Sequence, residues 1–151
     1  GDLSNNIYNN KIDIRNKEIT SLKGRPKEIN GSLFISNNII SSLKYSPKKI
    51  NGDFDCSFNH LTNLMFCPIE VNGEFNCENN KLISLEGSPK EINGSFNCQN
   101  NNLTSLKGRP KKVKGFFICK NNPDLKDVKQ EIIENQIKSS YYLTDTPVLF
   151  L

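Results

Sequence analysis

The sequence predicts a solenoid of about six stacked coils, and two observations carry that prediction. The first is a strict 21-residue register, with proline at Pro26, Pro47, Pro68, Pro89 and Pro110, glycine at Gly31, Gly52, Gly73, Gly94 and Gly115, and asparagine at Asn38, Asn59, Asn80, Asn101 and Asn122. The second is a set of apolar ladders in the same register: Leu22, Leu43, Leu64, Leu85 and Leu106; Ile29, Ile50, Val71, Ile92 and Val113; Leu33, Phe54, Phe75, Phe96 and Phe117; Ile35, Cys56, Cys77, Cys98 and Cys119; Ile40, Leu61, Leu82 and Leu103. A unit this short cannot bury an apolar side alone, so the core has to come from stacking one unit on the next.

At 151 residues the chain is expected to be one domain, with residues 1–10 as an N-terminal cap, 11–123 as the coils and 124–151 as a C-terminal helix and tail. The cap is thin and polar, helped by Ile7 and Tyr8. A less regular first copy follows, with Ile12, Ile14 and Ile19 at core places.

Each full unit then reads alike. In the unit around Phe54, the residues Phe54 and Cys56 point one way while Asp53, Asp55 and Ser57 point the other, the period-two alternation of a short strand. The asparagine at its end, Asn59 here, is expected to bond backbone groups left open by the curving chain, a structural duty rather than a catalytic one. The return leg is too short and too rich in proline for a helix, which predicts extended or polyproline-like backbone. The glycine of the Asn-Gly pairs is expected to turn a tight corner with positive φ.

After Asn122 the register ends. Leu125, Val128, Ile132 and Ile137 form a helical stripe, and Pro123 and Asp124 suit a helix start. This helix is expected to cover the last coil, with Tyr141, Tyr142, Leu143, Val148, Leu149 and Phe150 folding back on it.

The spacing Phe54-x-Cys56-x-x-Asn59-x-Leu61 resembles the second half of the leucine-rich repeat, L-x-L-x-x-N-x-L. Over residues 12–123 the unit is similar to the short repeats of bacterial leucine-rich-repeat effectors, and closer to small phage and bacterial repeat proteins worded SL-x-G-x-P-x-x-I-x-G-x-F. That resemblance implies a right-handed leucine-rich-repeat solenoid with a parallel β-sheet on the concave side, a convex side without long helices, and protein binding as its common use. An inhibitor or effector role, including interference with a defence system, is a further implication of the resemblance.

Composition narrows the function classes. The net charge of +4 is too modest to announce a nucleic-acid binder. The longest apolar runs are a few residues, so no membrane-spanning helix is predicted, and the first residues lack a secretory pattern. Four of the five cysteines occupy a core ladder at the repeat interval, which favours buried thiols over zinc ligands. Cys67 takes a loop place and is expected to be free; together the five suggest a reducing, cytoplasmic setting, with a secreted effector as the alternative. His60 is the only histidine and travels with no general base, and no phosphate loop or dinucleotide fingerprint occurs, so no enzyme, cofactor or metal is predicted.

Surfaces remain. The outward strand positions are acidic in the middle, at Asp53, Asp55, Glu74 and Glu78, with Asn76, Asn97 and Gln99 beside them. Phe34 and Phe58 flank one side, Phe116 and Ile118 the other. Apolar anchors around an acidic field suit a basic protein partner, with the chain itself a monomer. The alternative site is basic: Lys23, Arg25, Lys27, Lys44, Lys48, Lys49, Lys90, Lys107, Arg109, Lys111 and Lys112 all fall on return loops. That stripe would suit nucleic acid or another anionic surface, with Lys107, Arg109, Lys111 and Lys112 as its densest part. Met65, Phe66, Cys67, Ile69 and Glu70 interrupt it, Glu28 and Glu91 dilute it, and the loops are read as lacking aromatics for base stacking. A structural or adhesive part of a larger assembly, recognising glycan, is a third reading.

Overall fold

The structure is a computed structural model and describes residues 6–125. Its secondary structure there consists of twelve two-residue strands, with no helix. The odd-numbered strands β1 (Ile7–Tyr8), β3 (Glu28–Ile29), β5 (Lys49–Ile50), β7 (Glu70–Val71), β9 (Glu91–Ile92) and β11 (Lys112–Val113) stack in chain order into one parallel sheet. The even-numbered strands β2 (Ile12–Asp13), β4 (Leu33–Phe34), β6 (Phe54–Asp55), β8 (Phe75–Asn76), β10 (Phe96–Asn97) and β12 (Phe117–Ile118) stack into the other. The result is a β-solenoid of about five turns, in which each residue pairs with its equivalent 21 places away, as Phe54 does with Leu33 and Phe75.

The second sheet is a departure from expectation. The return leg is extended and helix-free, but its residues also pair from coil to coil instead of standing as unpaired polyproline-like backbone. Proline does not prevent this, because each buried proline comes just before the pairing begins: Lys48 N–H donates to Lys27 O at 2.7 Å, and Lys111 N–H to Lys90 O at 2.8 Å. The two residues that β1 contributes to that sheet make the N-terminal segment part of a coil as well as a cap: Tyr8 is half-buried against the core, whereas Ile7 is largely exposed.

Between the sheets lies one continuous core containing every apolar ladder named above. Phe54, Phe75 and Phe96 have no exposed surface, and their rings follow one another, with Phe117 next, at 5.1, 5.3 and 5.3 Å between centroids. Full burial of each such ring contributes about 1.5–3 kcal/mol, and the edge-on and tilted ring contacts add about 0.5–1.5 kcal/mol apiece.

Three corners close each coil. At the asparagine corner the residue before the ladder is left-handed, at Asn16, Asn37, Asn79, Asn100 and Asn121, and at Phe58, with φ of 51–56°. Asparagine tolerates that region; phenylalanine does so at a cost. The ladder amide then bridges two coils. Asn80 Oδ1 accepts from Leu61 N–H at 3.0 Å, and its Nδ2 donates to Cys56 O and Cys77 O at 3.1 Å each. The structural duty read from the sequence is what the asparagines perform.

The glycine corner corrects the expectation of positive φ. The left-handed glycines are Gly24, Gly87 and Gly108, outside the Asn-Gly pairs. Gly73 and its equivalents are needed for a different reason: a Cβ there would sit 2.7 Å from Gly52 C and 2.8 Å from its O, because the coils touch backbone to backbone. Gly73 N–H donates to Gly52 O at 2.9 Å. Next to this stack runs a second asparagine ladder, in which the amides of Asn30, Asn51, Asn72 and Asn93 each donate to the Oδ1 of the residue one coil earlier, at 2.6–2.9 Å.

The third corner is a turn in which the N–H of Arg25, Ser46, Cys67, Ser88 and Arg109 donates to the carbonyl of the ladder leucine three residues before, at 3.0–3.1 Å. Its third residue is left-handed, which calls for glycine. Gly24, Gly87 and Gly108 supply it, but the other two coils have Tyr45 (φ 71°) and Phe66 (φ 67°). At the far end, Leu125 N–H donates to Asn122 O and its side chain packs against the core. Of the helix and tail expected over 124–151, Asp124 and Leu125 belong to this turn and the remainder, from 126 on, lies outside the described residues.

Candidate functional site

The outward face of the even-numbered sheet brings most of the expected site residues together. Asp13, Phe34, Asp55, Asn76, Asn97 and Ile118 form one row in register, one per strand. At roughly 4.8 Å per strand, Phe34 and Ile118 stand about 19 Å apart with the polar residues between them. Beside that row run Asp53, Glu74 and Phe116, and on its other side Glu78 and Gln99. Phe116 is 57% exposed. Phe34 is half-buried, with the Arg15 guanidinium 5.3 Å above its ring.

The face is knitted by neutral donors. Glu74 N–H donates to Asp53 Oδ1 at 2.8 Å, and Ser57 Oγ donates to Asp55 Oδ1 at 2.6 Å. Glu78 receives Asn76 Nδ2 at 3.2 Å and Gln99 Nε2 at 2.6 Å. None of the four carboxylates forms an ion pair among the described residues. Their negative charge is therefore held in place without being neutralised. At the N-terminal edge Asp13 differs: Arg15 donates to it through Nε at 2.8 Å, which lowers its pKa to about 2.

Phe58 is not on this face. It occupies the left-handed asparagine corner, 48% exposed, in a shallow depression shared with His60 and Lys81. Expected with Phe34 at the flank of the acidic field, it is taken round the edge by the corner.

The basic loops are partly neutralised. Lys49 lies 3.8 Å from Glu28 and 3.9 Å from Glu70, Lys107 lies 3.1 Å from Glu86, and Lys112 lies 3.6 Å from Glu91. Of the densest basic group, Lys107 and Lys112 are thus spoken for, while Lys111 is exposed and Arg109 half-buried. The expected lack of loop aromatics is also corrected: Tyr45 and Phe66 sit on these loops, 49% and 55% exposed. Their signal was in the sequence, in the column Gly24, Tyr45, Phe66, Gly87 and Gly108, once that column is known to be a turn.

All five cysteines are buried and free. Burial pushes the thiols of Cys56, Cys77 and Cys98 well above their ordinary range and that of Cys67 up to about 12, with Lys48 opposing the last. Cys67 Sγ donates to Gly87 O at 2.9 Å, the place where Ser46 Oγ donates to Phe66 O at 2.6 Å. The loop cysteine is a substitute for a structural serine. Among the described residues no group of His, Cys, Asp and Glu is placed to hold a metal ion, and no helix is long and apolar enough to cross a membrane.

Comparison with family models, curated proteins and solved structures gives no match. The repeat solenoid and its surfaces stand on the residues themselves.

Proposed function

We propose that this chain is a non-enzymatic binding module that engages a protein partner with a basic surface through the outward face of its even-numbered sheet. The observation behind this reading is the row from Phe34 to Ile118. It is rigid because every member rides on a strand, it holds Asp55 with Asp53, Glu74 and Glu78 beside it, none of them in an ion pair among the described residues, and it offers apolar side chains at both ends. A preformed surface of this kind loses little side-chain entropy on binding, and its charge steers a cationic partner.

The leucine-rich-repeat assignment belongs to the same proposal. The F-x-C-x-x-N-x-L spacing supports it, and the second parallel sheet sets this chain apart from the single-sheet form expected of it. A phage or bacterial inhibitor acting inside a reducing compartment agrees with five free thiols.

The test is a capture experiment from host lysate with the full chain and a variant carrying Asp53→Lys, Asp55→Lys, Glu74→Lys and Glu78→Lys, each with and without nuclease. The reading requires a protein captured by the parent, lost with the variant and indifferent to nuclease. Capture that survives these changes but disappears when Lys107, Arg109, Lys111 and Lys112 are reversed to glutamate would overturn it in favour of the basic loops.

A further inference from the structure

A groove of about 290 Å³ opens at the turn corner of the first three coils, lined by Arg25, Lys27, Lys44, Tyr45, Lys48 and Phe66. Its two aromatic walls stand where turn geometry asks for glycine and where three of five coils have it. Bulky side chains at left-handed positions are conformationally unfavourable, and such outliers concentrate at functional sites. Both rings face solvent, so core packing does not explain them.

The charge around the groove is one-sided. Among the described residues, Arg25, Lys27, Lys44 and Lys48 form no ion pair, while Glu28 and Glu70 are drawn to Lys49 on the neighbouring sheet face. Arg25 Nε is buried with no hydrogen-bond partner among those residues, and Lys44 Nζ lies 5.2 Å from the Tyr45 ring centre. Next to Phe66 the apolar surface continues through Met65, 47% exposed, and Ile69, 70% exposed. Those two take columns that elsewhere hold lysine at Lys23, Lys44 and Lys107, and at Lys27, Lys48, Lys90 and Lys111.

From this juxtaposition we infer that the groove is a second binding site, for an acidic peptide segment that inserts an aromatic or aliphatic anchor between Tyr45 and Phe66 and sets its carboxylates against Arg25, Lys27, Lys44 and Lys48. An aromatic anchor in a pocket rimmed by unpaired cations is the arrangement that concentrates binding energy at peptide interfaces. A nucleic-acid strand fits less well. It needs a continuous cationic track, and here the lysine columns are broken by Met65 and Ile69, aliphatic groups that a peptide side chain covers and a phosphodiester backbone does not.

Fluorescence anisotropy of the full chain tests this with three labelled probes: a short Asp/Glu peptide with a central Leu-Phe pair, the same peptide with lysine for each acid, and an oligothymidine. The key variant is Tyr45→Gly with Phe66→Gly, which restores the residue the other coils use and so spares the fold, as a circular-dichroism melt verifies. Lys27→Glu with Lys48→Glu is the charge control. The acidic peptide alone is expected to bind, weakening with salt, and to lose about tenfold or more in affinity in either variant. Equal binding by the glycine variant, absence of acidic-peptide binding, or preference for the oligothymidine each overturns the inference. The four-lysine sheet variant keeps its peptide affinity, so failure at the groove and failure at the sheet face are told apart.

Discussion

Replacing Asn80 by alanine removes one buried amide from the middle of the solenoid, and the structure fixes what is lost. Leu61 N–H has Asn80 Oδ1 as its partner and no other among the described residues, so it becomes a buried, unsatisfied donor, at a cost of about 1–3 kcal/mol. The carbonyls are better protected. Cys56 O also accepts from Asn59, and Cys77 O from Asn101, so each loses a second hydrogen bond rather than its only one, about 0.5–1.5 kcal/mol apiece. The sum is centred on about 3–4 kcal/mol, a large share of the 5–15 kcal/mol typical of a whole domain. Urea unfolding followed by far-ultraviolet circular dichroism measures it; with a slope of about 1–3 kcal/mol per molar, the midpoint falls by about 1–3 M. Asn80→Asp sharpens the test. It keeps the acceptor for Leu61 but turns a carboxylate toward three carbonyls, including Glu78 O at 3.3 Å, so at neutral pH it is expected to be worse than alanine and to improve as acid protonates it. A loss below about 1 kcal/mol for alanine, or a neutral-pH aspartate variant more stable than alanine, would falsify the ladder as described.

Four other outcomes follow from the same structure. Gly73→Ala is expected to destabilise by more than 2 kcal/mol or so in the same assay, since its Cβ meets the backbone of Gly52, which has no room to retreat between stacked coils. Phe58→Asn restores the residue the other coils use at that left-handed corner and should stabilise by about 1 kcal/mol, read as a raised melting temperature; a loss of stability would mean the ring is held by packing. The five thiols should resist Ellman's reagent at pH 8 until the chain unfolds, because each is buried and Cys67 titrates only near 12; a rapidly labelled Cys67 contradicts the burial of its turn. The Asp13–Arg15 pair depresses a folded-state pKa from 3.8 to about 2, so its contribution is complete above the unfolded value and fades as pH falls through that interval; carboxyl NMR of Asp13 should show the low midpoint, and Arg15→Ala should return it toward 3.8.

Much of this architecture was legible because a fixed period turns one sequence into its own alignment. The core ladders, the strands around Phe54 and Phe75, and the bridging role of Asn59 and Asn80 all follow from columns that admit one kind of side chain. What stayed hidden was hidden for physical reasons. Around Glu70–Val71 a proline precedes and a glycine follows, leaving one apolar column and no alternation to detect, so the second sheet was invisible although that column was not. Glycine is required both where φ is positive and where backbones touch, and residue identity alone does not separate Gly87 from Gly73. On the surface, alternation placed Asp55, Asn76 and Asn97 on one face, but Phe58, read as a flank of that face, lies past a corner that no alternation marks. Tyr45 and Phe66 were passed over because, without the turn, an aromatic in a glycine column is only a substitution.

The direction of the asparagine bridges gives the stack a polarity of assembly. Each amide reaches backward, to a coil made earlier in the chain, so a coil's own Leu61-type N–H stays open until the following 21 residues arrive with their asparagine. Emerging from a ribosome, every coil would wait for its successor to be finished. Trimming has the same asymmetry. At this corner, coils removed from the N-terminal side leave behind side-chain amides that can turn to water, whereas coils removed from the C-terminal side leave a Leu61-type backbone N–H without its partner; on the return leg the bonds run the other way, with Gly73 N–H reaching back to Gly52 O.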